Sequence, residues 1–449
     1  MPTKPVKISL ISLGCARNLV DSEIILGTLK GSGFVITDSP RSADIAIVNT
    51  CSFIEDAKKE SIEAILDLVD LKNSGKIKGI LVAGCLPQRY GKSLRKELGE
   101  IDGFIGVEGF ARLPKLISDI MDGKRVYSVS RNPAYLYNWK TPRQSLTPKH
   151  FAYIKISEGC SHKCSFCVIP KIRGRHRSRG MDSIVAEARD LIDKGVKEIN
   201  LIGQDTTLYG IDLYRRPALA ELLKKLARLK GARWLRLMYA HPARFSDDLV
   251  SVIAGEGPIC KYIDLPVQHI NDRILDAMRR GTSGALIRGL LARLRERIPA
   301  IAIRTAVIVG FPGETDKEFN ELLGFIKEAR FERLGAFVYS EEEGTPAARS
   351  KDHIPEKEKL ARWNELMKAQ RRVSSENNGK FQGRRFEVIV DEKDGSGRDT
   401  WLGRTYMDAP EIDGLVYIKG TGIKTGDIVP VKITGTLEYD LIGEKEVMI

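Results

Sequence analysis

The sequence has no apolar run approaching about 18 residues, so no membrane-crossing helix is expected. Its opening, MPTKPVKISLISLGC, lacks a basic region followed by a long apolar stretch. The piece ISLISLG has the length of a strand, not of a secretory signal. Cysteine is scarce, seven in 449 residues. With no export signal these thiols are expected to stay reduced in a cytoplasm, as metal ligands rather than disulfides. Internal repeats and low-complexity tracts are also missing, which excludes a solenoid or a disordered scaffold. Acidic residues are outnumbered, 59 against 72 basic, for a formal charge of +13. Alone, that charge favours an anionic partner such as nucleic acid. The surplus is uneven, because residues 380–449 hold ten basic and thirteen acidic side chains, net −3, leaving +16 on residues 1–379.

What is present is alternation. Residues 1–125 interleave strand-like runs (KISLISLG, ADIAIVNT, GILVAG) with helix-like ones (DSEIILGTLKGSG, EDAKKESIEAILDLVDL). That pattern predicts a doubly wound parallel sheet covered on both faces. Residues 126–150, rich in proline and polar side chains, read as a linker with aromatic anchors. Over 151–375 six strand candidates alternate with amphipathic helices: 151–157, 197–203, 233–239, 261–267, 302–310 and 333–339. Right-handed crossovers would arrange them as a partial (βα)6 barrel. From 380 to 449, RRFEVIVDE, GLVYIKG and DIVPVKITGTL are short strands between glycine-bearing turns, a small all-β barrel. The fold class is thus α/β with an all-β C-terminal module.

The chemistry-bearing stretch is EGCSHKCSFC, with Cys160, Cys164 and Cys167 in the loop after the first barrel strand. Such barrels place their active sites there. A zinc knuckle is the bland alternative, but zinc takes four ligands, usually as two pairs, and His162 sits at an awkward spacing inside the loop. Three thiolates suit a 4Fe–4S cluster with one iron open. In the N-terminal part Cys15, Cys51 and Cys85 each follow a strand-like run, and parallel strands bring their C-terminal ends to one edge. Small buried cysteines are common, yet three at equivalent strand ends predict a second three-thiolate site. Cys260, ahead of the fourth strand candidate, has no such pattern and reads as structural.

The CxxxCxxC loop with Phe166 before its last cysteine resembles the radical S-adenosylmethionine (SAM) superfamily. Two three-cysteine sets in this order, followed by a β module, resemble the methylthiotransferases. LGCARNLVDSE, NTCSFIEDAKKESI, GCLPQRY, YIKISEGCSHKCSFCVIPKIRGRHRSR, LPVQH, GFPGET, VYSEEEGTPA and GRTYMDAPEIDG carry the likeness to the RimO type along the whole chain. The resemblance implies two 4Fe–4S clusters, one on Cys160, Cys164 and Cys167 that cleaves SAM, the other on Cys15, Cys51 and Cys85 that carries sulfur. It also implies one SAM as methyl donor and another as radical source. The product is a methylthio group on the β-carbon of an aspartate in small-subunit ribosomal protein twelve. An electron-donor protein and a sulfur donor are implied partners, and the C-terminal module looks like a TRAM domain that recognises the substrate. Gln204 and Asp205 of LIGQDTT are the candidate contacts to the methionine end of SAM. Gly310 and Gly313 of GFPGET would let backbone approach its adenine, unless they serve a tight turn. Ala306 departs from the superfamily pattern, which often has glycine there.

Charge separates this reading from its relative, methylthiolation of adenosine in tRNA. A module gripping RNA should be basic, whereas the C-terminal module is net negative, with three acids in DAPEID alone. That suits a basic ribosomal protein. The +16 elsewhere keeps tRNA as the alternative, and a non-catalytic iron–sulfur protein that binds ribosomes is a second. KIRGRHRSR (171–179) is expected either to hold a carboxylate or to be a solvated loop. Glu341–Glu343 would meet a basic substrate or line a turn.

Overall fold

In the computed structural model, which describes residues 5–395, 397 and 399–446, the chain opens with six parallel strands. They are β1 (Lys7–Ser12), β2 (Val35–Ile36), β3 (Ile45–Thr50), β4 (Gly79–Gly84), β5 (Gly103–Ile105) and β6 (Val126–Ser128), in the order β2-β1-β3-β4-β5-β6. Helices α1 (Ala16–Gly31), α2 (Glu55–Asn73), α3 (Cys85–Glu97) and α4 (Leu113–Met121) cover both faces. Ile45, Ile47, Leu81 and Ala83 share a core with Ile24 and Ile117, whereas Ala46, Val48, Ile80 and Val82 share one with Leu68 and Leu94. Two-sided burial is why β3 and β4 read as unbroken apolar runs. Strands of two or three residues (β2, β5, β6) are too short to leave a periodic signal. The expected linker accordingly gives its first residues to β6. The rest of it lies along α1, where Arg143 bonds Glu23 and Glu187.

The second part begins with β7 (Phe151–Lys155) and a two-residue hairpin of β8 (Ser157–Glu158) and β9 (Arg177–Ser178). Then come β10 (Glu198–Ile202), β11 (Trp234–Leu237), β12 (Ile259–Asp264), β13 (Ala302–Val309) and β14 (Arg333–Val338). β7 and β10–β14 pair in chain order, all parallel, as an open barrel with β7 and β14 at its edges. Alternate residues point outward into a core with the helices (Ile154, Leu201, Leu235, Ile263, Ile303). The inner residues include Tyr153, Trp234, Tyr262 and Ala302. Cys260 belongs to that inner cluster and lies within β12, because the strand starts at Ile259 rather than after the cysteine.

Five strands close the C-terminal barrel: β15 (Arg385–Lys393), β16 (Thr400–Arg404), β17 (Val416–Lys419), β18 (Ile428–Thr436) and β19 (Leu441–Lys445). The loop after β16 docks on the inner face of the open barrel. Arg404 pairs with Glu198 at 2.8 Å, itself bonded to Arg236 at 2.8 Å; Asp408 pairs with Arg333. Asp413 accepts from Tyr262 at 2.7 Å and from Arg304 at 3.2 Å. This corrects the sequence reading of DAPEID. Asp408 and Asp413 are buried counter-charges for barrel arginines, because an inward-facing Arg needs a partner in low dielectric; Glu411 stays exposed. No helix among the described residues is long and apolar enough to cross a membrane.

Candidate active site

β1, β3 and β4 are neighbours in the sheet, so the residues that follow them emerge at one edge. Cys15 caps α1, Cys51 follows β3 directly, and Cys85 is the first residue of α3. Gly14 and Gly84 turn the chain into Cys15 and Cys85 with φ of +88° and +95°, a region side chains disfavour. A methyl group on Gly14 would lie 2.7 Å from Cys51 Cβ and 3.1 Å from its Sγ, so the Cys15 and Cys51 turns touch. Burial pushes the Cys51 thiol up to about 12, and the neighbouring Cys85 and Cys15 thiols push the same way. Burial also raises Cys85. Burial acts upward on Cys15 too, but the Arg17 guanidinium and the Asn18 N–H outweigh it and hold that thiol below its ordinary value. All three thiols thus follow neighbouring strands at the same end of the sheet, with the Cys15 and Cys51 turns in contact. Asn18 ties the edge by donating to Leu13 O at 2.6 Å and Asn49 O at 3.2 Å, and the Ser61 hydroxyl donates to Cys51 O at 2.9 Å.

The barrel cysteines sit between β8 and the short helix α5 (Ile169–Arg173). Gly159, φ +80°, turns the chain into Cys160, whose N–H donates to Gly174 O at 3.0 Å. Ser165 is anchored to Met278 O and Ala277 O, and the Cys167 N–H donates to Cys164 O at 3.2 Å. Burial lifts Cys160 to about 11 and Cys167 to about 12, with Cys164 adding to both. Among the described residues no three His, Cys, Asp or Glu side chains are gathered tightly enough for a single metal ion. Each set offers three thiols, the donor number of a 4Fe–4S cluster with one iron open, whereas structural zinc takes four ligands.

Around the barrel mouth the other candidates fall as follows. Phe166 packs on the cluster of Phe311, Tyr339 and Met278. Gln204 Nε2 donates to Glu158 Oε1 at 2.7 Å, while its Oε1 is buried with no partner. His241 Nε2, Arg280 Nε and Thr282 Oγ1 are likewise buried and unpartnered. Several unmet polar atoms at the C-terminal ends of barrel strands are what a polar ligand would satisfy, and SAM has the amino and carboxylate groups to do so. Asp205 is committed within the loops: one oxygen accepts from Thr207 N–H and O–H, the other faces His162 Nε2 at 2.6 Å. It orients His162, which stacks on His241 at 4.3 Å. Gly310 and Gly313 have φ of +72° and +77°. The Gly310 N–H donates to Glu314, and a methyl there would strike Lys359 at 2.2 Å. Both positions take the left-handed backbone of a turn, where glycine is favoured.

Sequence reasoning missed the arginines between the two thiol sets. Arg17 donates to Gly203 O at 2.8 Å and stacks on Tyr239 at 4.3 Å. Arg280 Nη1 lies 3.7 Å from Cys164 Sγ. Arg173 of the KIRGRHRSR loop is buried, bonded to Asp21 at 2.5 Å and to Cys85 Sγ at 3.3 Å. Arg179 is buried on Glu187. That loop is thus not a solvated stretch of charge throughout: Arg173 ties it to Cys85 and Asp21 of the N-terminal sheet domain, and Arg179 ties it to Glu187. Glu342, 3% exposed, pairs with Arg89 at 2.6 Å and Lys58 at 3.4 Å of the N-terminal sheet domain, not with solvent. The signal that would have flagged these residues is the density of Arg in motifs adjoining the cysteines.

Residues 154–326 match the radical SAM superfamily, residues 7–106 the uncharacterized protein family UPF0004, and residues 383–445 the TRAM domain. The chain is 47% identical over 441 residues to the ribosomal protein uS12 methylthiotransferase RimO of Citrifermentans bemidjiense, covering 98% of each. It is 48% identical to that of Geobacter sulfurreducens, again with 98% of each covered. Among solved structures, the radical SAM methyltransferase TsrM of Kitasatospora setae shares the fold, with a TM-score of 0.54 at 17% identity over 77% of each chain. With this likeness along 98% of its length, the chain belongs to the RimO family of radical SAM methylthiotransferases.

Proposed function

We propose that the protein adds a methylthio group to the β-carbon of an aspartate in ribosomal protein uS12, in three parts spanning 1–125, 151–375 and 380–449. Cys160, Cys164 and Cys167 hold a 4Fe–4S cluster with one iron free for SAM, and Cys15, Cys51 and Cys85 hold a second. When bound, the clusters and SAM supply chemistry beyond side-chain acid–base catalysis, the breaking of an unactivated C–H bond and the delivery of sulfur. The protein's own residues do the positioning. Gln204 Oε1 offers an acceptor for the SAM amino group. Asp205 fixes His162, and with it the loop between Cys160 and Cys164. Arg280 offers a guanidinium beside Cys164 for the SAM carboxylate. Arg173, bonded to Asn18 and Cys85, holds the sheet edge against the barrel, and Cys15, Cys51 and Cys85 would hold their cluster on that edge. An electron-donor protein and a sulfur donor complete the partners.

The observation that supports this reading is that Arg17 and Arg173 bond the sheet edge carrying Cys15 and Cys85 to the barrel mouth, where the CxxxCxxC loop lies. The uS12 substrate is supported by the names of the relatives. The net negative C-terminal module agrees with a basic protein, though less strongly than the sequence alone implies, since Asp408 and Asp413 are buried. The test is incubation of cluster-loaded enzyme with SAM, a one-electron reductant and either a uS12 peptide or tRNA. A mass gain of one CH2S unit on the peptide supports the proposal; the same gain on tRNA alone overturns it. Cys160→Ala should abolish release of 5′-deoxyadenosine.

A further inference from the structure

The seam between the N-terminal sheet edge and the barrel mouth is rich in cations, and nearly all of them are spoken for. Lys155 is bonded to Asp21 at 2.5 Å and Glu158 at 2.7 Å. Arg173 shares both acids. Arg143 and Arg179 share Glu187, and deeper in the barrel Arg304 and Arg333 are met by Asp264, Asp413 and Asp408. Two guanidiniums stand apart. Arg280, 9% exposed, donates to Pro266 O at 2.6 Å and lies beside Cys164, and no carboxylate among the described residues pairs with it. Arg17 donates to Gly203 O at 2.8 Å and lies against the Cys15 thiol, again with no carboxylate partner among the described residues.

Neither guanidinium, Arg280 buried and Arg17 half-buried, has a carboxylate to complete its fork, so each can receive a ligand carboxylate. Two carboxylates come to this seam under the proposed function, one on SAM and one on the aspartate side chain. The two arginines are placed to divide them. Arg280 is on the barrel side, next to the cysteine loop where SAM binds. Arg17 is on the sulfur side, two residues from Cys15, and reaches across to Gly203 just past β10. Its position is enforced rather than incidental. The guanidinium stacks on Tyr239 at 4.3 Å, and Tyr239 is held at φ +57°, a left-handed backbone that a bulky residue rarely adopts. The Tyr239 N–H donates to Asp264 at 3.0 Å, and the preceding Met238 O receives the Thr206 hydroxyl, so neighbouring strands hold the ring beneath Arg17. Strained backbone that presents an aromatic platform points to a ligand-orienting role.

We propose that Arg17 is the specificity residue that receives the carboxylate of the substrate aspartate, setting its β-carbon between the two thiol sets, with Tyr239 fixing the plane of the fork. This rests on the aspartate reading above and names the group that selects aspartate. Asparagine has a similar shape but lacks the charge, and an adenine base offers no carboxylate at all.

The test pairs enzyme and peptide changes. Cluster-loaded wild type, Arg17→Lys and Arg17→Gln are measured with a uS12 peptide carrying the target Asp, and with the same peptide carrying Asn. Binding is read by fluorescence anisotropy with SAM omitted, and kcat/KM by mass spectrometry with SAM present. Charged hydrogen bonds of this type set the scale at roughly 10- to 100-fold. Wild type should bind the Asp peptide tighter than the Asn peptide by that factor. Arg17→Gln should lose the preference, chiefly in Kd and KM, with little change on the Asn peptide, and Arg17→Lys should recover part of it. If Arg17→Gln weakens both peptides equally, or keeps the preference for Asp, the assignment is wrong and Arg17 is a structural brace. If wild type modifies neither peptide, the aspartate reading itself fails and takes this assignment with it.

Discussion

Replacing Gly14 with alanine probes the N-terminal thiol set without touching a cysteine. Gly14 has φ +88°, and a left-handed conformation costs an L-residue ~1–2 kcal/mol. The larger effect is steric. The new methyl would sit 2.7 Å from Cys51 Cβ, whereas carbons rest at about 3.5–4.0 Å. Cys51 must therefore retreat by on the order of 1 Å, and a metal site tolerates only about 0.2 Å in its ligand distances. Within 4 Å the methyl meets Cys51 and Asn18 and nothing of the barrel. Gly33 supplies the control, since its φ is +89° and nothing lies within 4 Å of its added methyl. Iron and sulfide analysis should find wild type and Gly33→Ala at about eight irons per chain and Gly14→Ala at about four. Gly14→Ala should still release 5′-deoxyadenosine from SAM yet form no methylthio product. Full iron content in Gly14→Ala, or equal losses in both variants, would refute the reasoning.

Two further outcomes follow from buried charge. Arg404→Met deprives Glu198 and Asp391 of a guanidinium that is 2% exposed, and should cost about 3–5 kcal/mol in urea unfolding; a loss under about 1 kcal/mol would show that the C-terminal loop does not lock onto the barrel. Burial raises Glu314 from 4.5 to about 7 against the pull of Arg362, so the fold favours its protonated form. That contribution is complete below the unfolded value and is lost as pH climbs through 7. Wild-type stability should then fall by up to ~3 kcal/mol from about pH 5 to pH 8, and Glu314→Gln should flatten the slope; parallel profiles would contradict this.

The thiol sets were legible because their placement follows from topology alone. Parallel strands deliver Cys15, Cys51 and Cys85 to one sheet edge, and the first barrel strand delivers the CxxxCxxC loop to the mouth, without knowledge of any side-chain contact. The six barrel strands were legible for the same reason, each being a four- to eight-residue run between amphipathic helices. Contacts across the chain were not. Arg17 meets Gly203 186 residues later, and no local pattern encodes that distance. DAPEID looked like a surface charge because net charge carries no burial information; its aspartates answer arginines on β13 and β14. Asp205, three residues beyond β10, bonds His162 and Thr207, contacts that no local pattern foretold.

The most direct test of the account is the iron left when the barrel loop is disarmed. In a Cys160→Ala, Cys164→Ala, Cys167→Ala triple variant, prepared without oxygen, Cys15, Cys51 and Cys85 should still hold a cluster of about four irons with matching sulfide. A chain that emerges free of iron would contradict the claim that the sheet edge builds a cluster site of its own.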